Sequence, residues 1–250
     1  MLKAVGHKPM MQTRTITPVI ELMKQDVVQS VVHDLRTPIT VIKGYLQLLL
    51  SGVMGEMSSE QVQLLQRSVG PLEDLIQMTD NLLQSLNLDK ADFELRRTET
   101  DLDHLLAEAV EFYQVPFQQR QMAIYREGNT LGLKIRVDAF WLRRVLNNLI
   151  WNAFKFTPDG GKVTLHVCHK ADGLEVSIQD TGRGISAERI DRIFSKFEQA
   201  MPSLDRKQGT GLGLWICKRV LELHHGRIYV TSTEGQGTRF SLWLPTDAIL

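Results

Sequence analysis

From Val28 onward the apolar residues Val28, Val32, Leu35, Ile39, Ile42, Leu46 and Leu49 recur at alternating spacings of four and three, the rhythm of a coiled-coil seam. A second series, Val62, Leu65, Val69, Leu72, Ile76, Thr79, Leu83 and Leu86, repeats it with one polar member. Between the two, Ser51 to Ser59 contains Gly52 and Gly55 and reads as the turn of an antiparallel helical hairpin. One such hairpin has two apolar seams and too little partner surface to bury both, whereas two hairpins make a four-helix bundle. The pattern therefore predicts a homodimer. Pro38 and Gly70-Pro71 fall inside the predicted helices, where proline removes a backbone hydrogen bond and tends to kink. For Pro71 the pattern offers no specific reason.

After Leu88 the rhythm lapses, and Asp89 to Asp103 is charged and irregular apart from a short strand expected at Phe93 to Arg96. The chain thus divides into a leader or linker remnant (1–20), a helical domain (21–88), an interdomain linker (89–100) and a larger domain (101–250). In the larger domain, helical periodicity runs from about Leu102 to Gln119 and from Ala139 to Phe156, and again near Ala187 to Phe197 and Leu212 to His224. Strand-like alternation marks Met122 to Tyr125, Lys134 to Val137, Val163 to Cys168, Leu174 to Gln179, Arg227 to Ser232 and Arg239 to Leu244. Alternating strands imply a sheet with a face that is solvated or covered by helices, so a two-layer α/β sandwich is expected. The fold class is α+β: a dimeric helical hairpin followed by that sandwich.

Composition adds exclusions more than identity. Hydrophobic residues make up 43% of the 250, as in ordinary globular protein, and the formal net charge is zero, which gives no reason to expect a nucleic acid partner. No stretch approaches the roughly 20 apolar residues of a membrane helix, since the best run, Val41 to Leu50, is broken by Lys43 and Gln47. A soluble, cytoplasmic chain is expected, which leaves room for a longer, membrane-anchored parent. Cys168 and Cys217 match no metal or redox spacing and read as small buried apolar residues in a reducing compartment.

Four short motifs carry chemistry, and they follow one another in order. His33-Asp34-Leu35-Arg36-Thr37-Pro38 places a histidine next to the seam residue Val32, at the margin of the bundle, where an imidazole stays accessible. On the Ala139 to Phe156 helix, Leu142, Val145, Leu146, Leu149, Ala153 and Phe156 form the buried stripe, while Asn148, Asn152 and Lys155 form a polar stripe beside it. Amides bordering a core are costly unless satisfied, and a triphosphate with Mg²⁺ would satisfy them. Asp180-Thr181-Gly182-Arg183-Gly184-Ile185 opens where a strand ends, so that a carboxylate can accept an amino group and the glycines let the backbone come close to a base. Gly209-Thr210-Gly211-Leu212-Gly213 leads into a helix, and free amides at a helix start bind phosphate. It is neither a Walker A loop nor a Rossmann fingerprint.

With these residues, from about Glu21 to Pro245, the chain resembles the catalytic core of a bacterial sensor histidine kinase. The resemblance implies a phosphoacceptor and dimerisation hairpin joined to an ATP-binding domain of the Bergerat type, shared with gyrase, Hsp90 and MutL. His33 would be phosphorylated, with Asp34 holding its second ring nitrogen and Thr37 positioning water for dephosphorylation of a partner. Asn152 would supply an oxygen to Mg²⁺, and Asn148 and Lys155 would face the phosphates of ATP. Phe156, Asp180, Gly182, Gly184, Ile185, Gly209, Thr210, Gly211, Leu212 and Gly213 would complete the nucleotide site. The segment with Pro202, Ser203, Asp205, Arg206, Lys207 and Gln208 resembles the ATP lid, and Phe194 and Phe197 resemble the phenylalanine box. Where many members carry an arginine two residues after the second phenylalanine, this chain has Gln199. The partner implied is a response-regulator receiver domain. A nucleotide-binding dimeric scaffold without phosphotransfer is the alternative, and intact His33, Asn152 and Asp180 speak against it. A gyrase-like or chaperone-like ATPase would have no use for the His33 motif. About twenty residues precede the first helix, too few for a sensor domain, so a fragment of a larger receptor or a kinase steered by another protein is expected.

Overall fold

The computed structural model describes residues 16–90, 92–198 and 211–249, the side chains of residues 16–26 and of His33 excepted. The chain separates into two units, Met1–Leu86 and Asn87–Leu250.

The first unit is the hairpin. Helix α1 spans Ile16–Leu50 and helix α2 spans Ser59–Leu88. Ser58 starts α2 with a reciprocal cap: its Oγ accepts from Gln61 N at 3.3 Å, and Gln61 Oε1 accepts from Ser58 N at 2.8 Å. Both helices run on through Pro38 and Pro71. The expected seam on α1 is divided. Val32 and Ile39 are buried, whereas Val28, Leu35 and Ile42 are 37%, 51% and 49% exposed. The physical reason is that α2 covers only one line of α1, and the members between need a second partner. Thr79, the polar member of the α2 series, is buried, with its hydroxyl donating to Ile76 O at 2.7 Å. Arg36 pairs with Asp80 at 3.4 Å and Lys43 with Glu73 at 2.9 Å, which ties the helices together at the margin of the seam.

The second unit contains strand β1 (Thr98–Asp101), helix α3 (Leu102–Gln119), strands β2 (Ala123–Glu127) and β3 (Lys134–Val137) and helix α4 (Ala139–Phe156). Strands β4 (Lys162–Lys170) and β5 (Gly173–Asp180), the single turn α5 (Ala187–Ile190), helix α6 (Gly213–Leu223) and strands β6 (Arg227–Thr233) and β7 (Gly237–Pro245) follow, closed by a 3₁₀ turn at Thr246–Ala248. The main sheet has the order β2-β4-β5-β7-β6, with β2 parallel to β4 and the other pairs antiparallel, and β1 pairs separately with β3.

Three expectations need correction. Phe93 to Arg96 is not a strand; Phe93 packs edge-on against Trp141 and Arg96 N donates to Asp138 Oδ2 at 2.9 Å, so the segment is held by side chains and the strand begins at Thr98. The helix expected from Ala187 to Phe197 stops at Ile190 and continues as turns that end at Phe197, whose φ of 62° no helix accommodates. Cys168 is exposed, being on the open face of the sheet; Cys217 is buried as expected.

Alternation along β5 explains where the site forms. Leu174, Val176 and Ile178 form one row with Asp180, while Glu175, Ser177 and Gln179 point the other way. Helix α4 packs over the apolar row and α6 packs beside it over β6 and β7, with Leu146, Leu149, Ile216 and Val220 buried. Asp180 is thus the last member of a row that belongs to the core.

Candidate functional site

Asp180 is 6% exposed, and its Oδ1 accepts from Gly182 N at 2.7 Å and Thr238 N at 3.3 Å. Burial pushes its carboxyl up to about 6 in spite of those two bonds. Among the described residues both bonds fall on Oδ1, which leaves Oδ2 for another donor. The glycines of this motif are required by the chain's own packing. A Cβ on Gly182 would lie 2.6 Å from Phe156 O, and one on Gly184, at φ +70°, 2.1 Å from Thr233 O. Gly237, opposite on β7, is equally confined, with a Cβ 2.0 Å from Asp180 O. The loop therefore lies directly against the end of α4 and the β6–β7 turn. Ile185 N donates to Ser232 Oγ at 2.9 Å and fixes the far side.

Helix α4 is positioned by its ends. Asp138 caps it through Oδ1 to Trp141 N at 3.2 Å. At the other end Arg120 donates to Thr157 O at 2.8 Å and to Asp159 Oδ1 at 2.7 Å, and lies over the Phe154 ring. On this helix Asn148 is buried rather than beside the core. A Cβ on Gly213, the first residue of α6, would lie 3.5 Å from Asn148 Oδ1, so the amide faces the start of that helix. Cys217, one turn on, is buried with its thiol pushed up to about 12, which makes it inert. Asn152 and Lys155 are half-buried. Phe156, expected in the buried stripe, is also only half-buried, because it turns toward Arg183, whose Cζ lies 4.5 Å from the ring centroid; Trp141 and Ile150 take places in the core instead.

Asn148 and Phe156 are eight residues apart, about 12 Å along α4. The helix therefore joins the start of α6 to the Asp180 loop. Gly211 and Leu212 precede α6; Gly211 has φ +68° and its oxygen accepts from Phe197 N at 3.1 Å, while Leu212 is buried. Phe197 is 65% exposed and so is not explained by core packing, whereas Phe194 packs edge-on against Phe240. Gly209 and Thr210 lie outside the described residues, as do Gln199 and the segment from Pro202 to Gln208.

On the hairpin, α1 carries His33, whose side chain lies outside those described. Asp34 and Thr37 are exposed, and Thr37 lines an open hollow with Arg36, Thr40 and Val41.

Sequence reasoning missed several residues that shape the site. His224 is buried, with Nε2 accepting from Asp138 N at 2.9 Å and Nδ1 donating to Val220 O at 2.8 Å. Burial lowers its pKa, and this neutral tautomer ties the end of α6 to the cap of α4. Thr238 and Arg120 had no local signal, since their roles arise across the sheet and across the end of a helix. Arg183 was visible only as the residue between two glycines.

The comparisons match both units. Residues 23–90 match the His Kinase A (phospho-acceptor) domain, and residues 137–248 match the histidine kinase-, DNA gyrase B- and HSP90-like ATPase family. The circadian input-output histidine kinase CikA of Thermosynechococcus vestitus is 32% identical over 229 residues, 89% of this chain and 31% of that protein. The sensor histidine kinase WalK of Bacillus subtilis is 30% identical over 225 residues, 89% and 36% of the two chains. Full-length ShkA in complex with AMPPNP aligns with a TM-score of 0.67 at 26% identity, over 88% of this chain and 45% of that one. The chain spans about a third of the length of the two curated relatives named here.

Proposed function

Because this chain belongs to the sensor histidine kinases and carries their catalytic core, we propose that it uses Mg-ATP to phosphorylate its own His33 and passes the phosphoryl group to an aspartate of a response-regulator receiver domain. The observation that supports this most is the arrangement along α4. At one end the buried Asn148 side chain abuts the start of α6 at Gly213, and at the other stands a buried carboxylate whose second oxygen takes no bond among the described residues. A helix start suits an anionic phosphate chain, and a carboxylate suits an adenine amino group.

In this reading residues 21–88 are the dimerisation and phosphotransfer domain, 89–100 the linker and 101–250 the ATP-binding domain. Asp180 Oδ2 accepts from the adenine amino group. Asn148, the Lys155 ammonium and the amides at the start of α6 hold the phosphates, so that charge developing in transfer meets fixed donors. The Asn152 carbonyl oxygen fits a magnesium ion that takes its remaining ligands from phosphate and water, and bound magnesium would neutralise phosphate charge. Neutral His33 attacks the γ-phosphorus through one ring nitrogen while Asp34 holds the other ring N–H, and ADP leaves. Thr37 positions water when the regulator is dephosphorylated. Among the described residues no helix is long and apolar enough to cross a membrane. We place the reaction in the cytoplasm.

Incubation with γ-labelled Mg-ATP should give a protein phosphate stable to base and lost in acid. Asn152→Asp should abolish labelling with the helical circular dichroism retained; normal labelling would remove the metal role. Thr37→Ala should still autophosphorylate but lose phosphatase action toward the regulator, and unchanged dephosphorylation would make Thr37 structural only.

A further inference from the structure

We propose that Arg183 is a positioning residue of the nucleotide site: it holds the Phe156 ring as a wall of the half that receives the base. The proposal rests on the reading that Asp180 takes the adenine amino group.

Three observations fix the arrangement. The Arg183 guanidinium lies over the Phe156 ring with Cζ 4.5 Å from the centroid, and Lys155 Nζ lies 6.0 Å from the same centroid. Phe156 is the last residue of α4, and its carbonyl accepts from Arg183 N at 3.3 Å. The Arg183 carbonyl in turn accepts from Gly235 N at 2.7 Å, so the backbone beneath the side chain is pinned to α4 and to the β6–β7 turn at once. A planar guanidinium on an anchored backbone can lie flat on a ring and limit its rotation, which a flexible ammonium does less well. The Arg183 side chain is exposed, and its contact among the described residues is this stack. Asp180 lies three residues before it and is the carboxylate the base would meet. Keeping the Phe156 ring in place therefore pre-forms a wall next to that carboxylate, and the nucleotide does not have to order it on binding.

The test measures the dissociation constant of trinitrophenyl-ATP by fluorescence on the full chain, with KM and kcat for ATP alongside. An exposed cation–π contact corresponds to about a two- to fivefold change in an equilibrium constant. Arg183→Ala should weaken binding and raise KM by about that factor with kcat unchanged, and Arg183→Lys should fall between it and the parent. On a Phe156→Leu background, Arg183→Ala should produce no further loss. Binding by Arg183→Ala equal to the parent, or a full additional loss on the Phe156→Leu background, would overturn the proposal. Asp180→Asn separates the two levels. Parent-like binding by that variant would sink the site reading itself, whereas its loss beside an unaffected Arg183→Ala would sink only the role of Arg183.

Discussion

Asp180 combines two demands that conflict. As the last member of the inward row of β5 it is buried, and burial raises its carboxyl to about 6 from an ordinary value near 3.8. The folded protein thus holds this proton more tightly than the unfolded chain does, and its contribution to stability falls as pH rises from about 4 through about 6. Asp180→Asn keeps an oxygen for Gly182 N and Thr238 N and removes the charge. The variant should be more stable than the parent at pH 7 by on the order of 2 kcal/mol, lose that advantage below about pH 4, and fail to bind ATP. Urea unfolding at both pH values checks it; equal stability at pH 7 would mean the buried charge costs nothing. His224 has the opposite sign. Its lowered pKa means that the unfolded chain binds the proton better, so stability is lost as pH falls below about 6.5. His224→Ala leaves Asp138 N without its acceptor and should cost about 1 to 3 kcal/mol. Asp180 and Asn148 were legible because carboxylates and amides stand out against apolar periodicity. His224 was not, since its Asp138 N partner is set by the packing of α6 against the start of α4.

At the scale of elements, the boundaries read most reliably where caps and periodicity agree. Helix α3 begins after Asp101, whose Oδ1 accepts from His104 N, and α4 begins after Asp138; both match the span expected from the pattern. Helix α5 and strand β1 did not, because one turn and four residues carry too little pattern. The hairpin gives a sharper lesson. The alternating fours and threes predicted one seam, and a single hairpin buries only part of it, leaving Val28, Val31, Leu35, Ile42 and Tyr45 as an exposed stripe on α1. Covering each such side chain is worth roughly 1.5 to 3 kcal/mol. Leu35→Asp with Ile42→Asp should therefore turn a dimer into a monomer in light scattering, with reduced helicity. A variant that stays dimeric would move the interface elsewhere. Ser58→Ala should cost about 1 kcal/mol of hairpin stability through the lost cap, read from thermal melting.

At the scale of the molecule, the order of the four motifs puts the proposed nucleophile ahead of the proposed nucleotide site, and the chain separates into Met1–Leu86 and Asn87–Leu250. What the sequence left unread is how the site is braced: Arg120 at the end of α4, Thr238 across the sheet and Arg183 on Phe156 all act through contacts distant in the chain. A fragment of residues 87–250 should fold alone and bind trinitrophenyl-ATP without the hairpin, because the second unit has its own core. The central claim is that the nucleotide site serves His33. It is tested most directly by incubating the parent and His33→Gln with γ-labelled Mg-ATP and counting base-stable, acid-labile phosphate on each. The account predicts label on the parent and none on His33→Gln, with trinitrophenyl-ATP binding equal in both; label of equal amount on His33→Gln would contradict it.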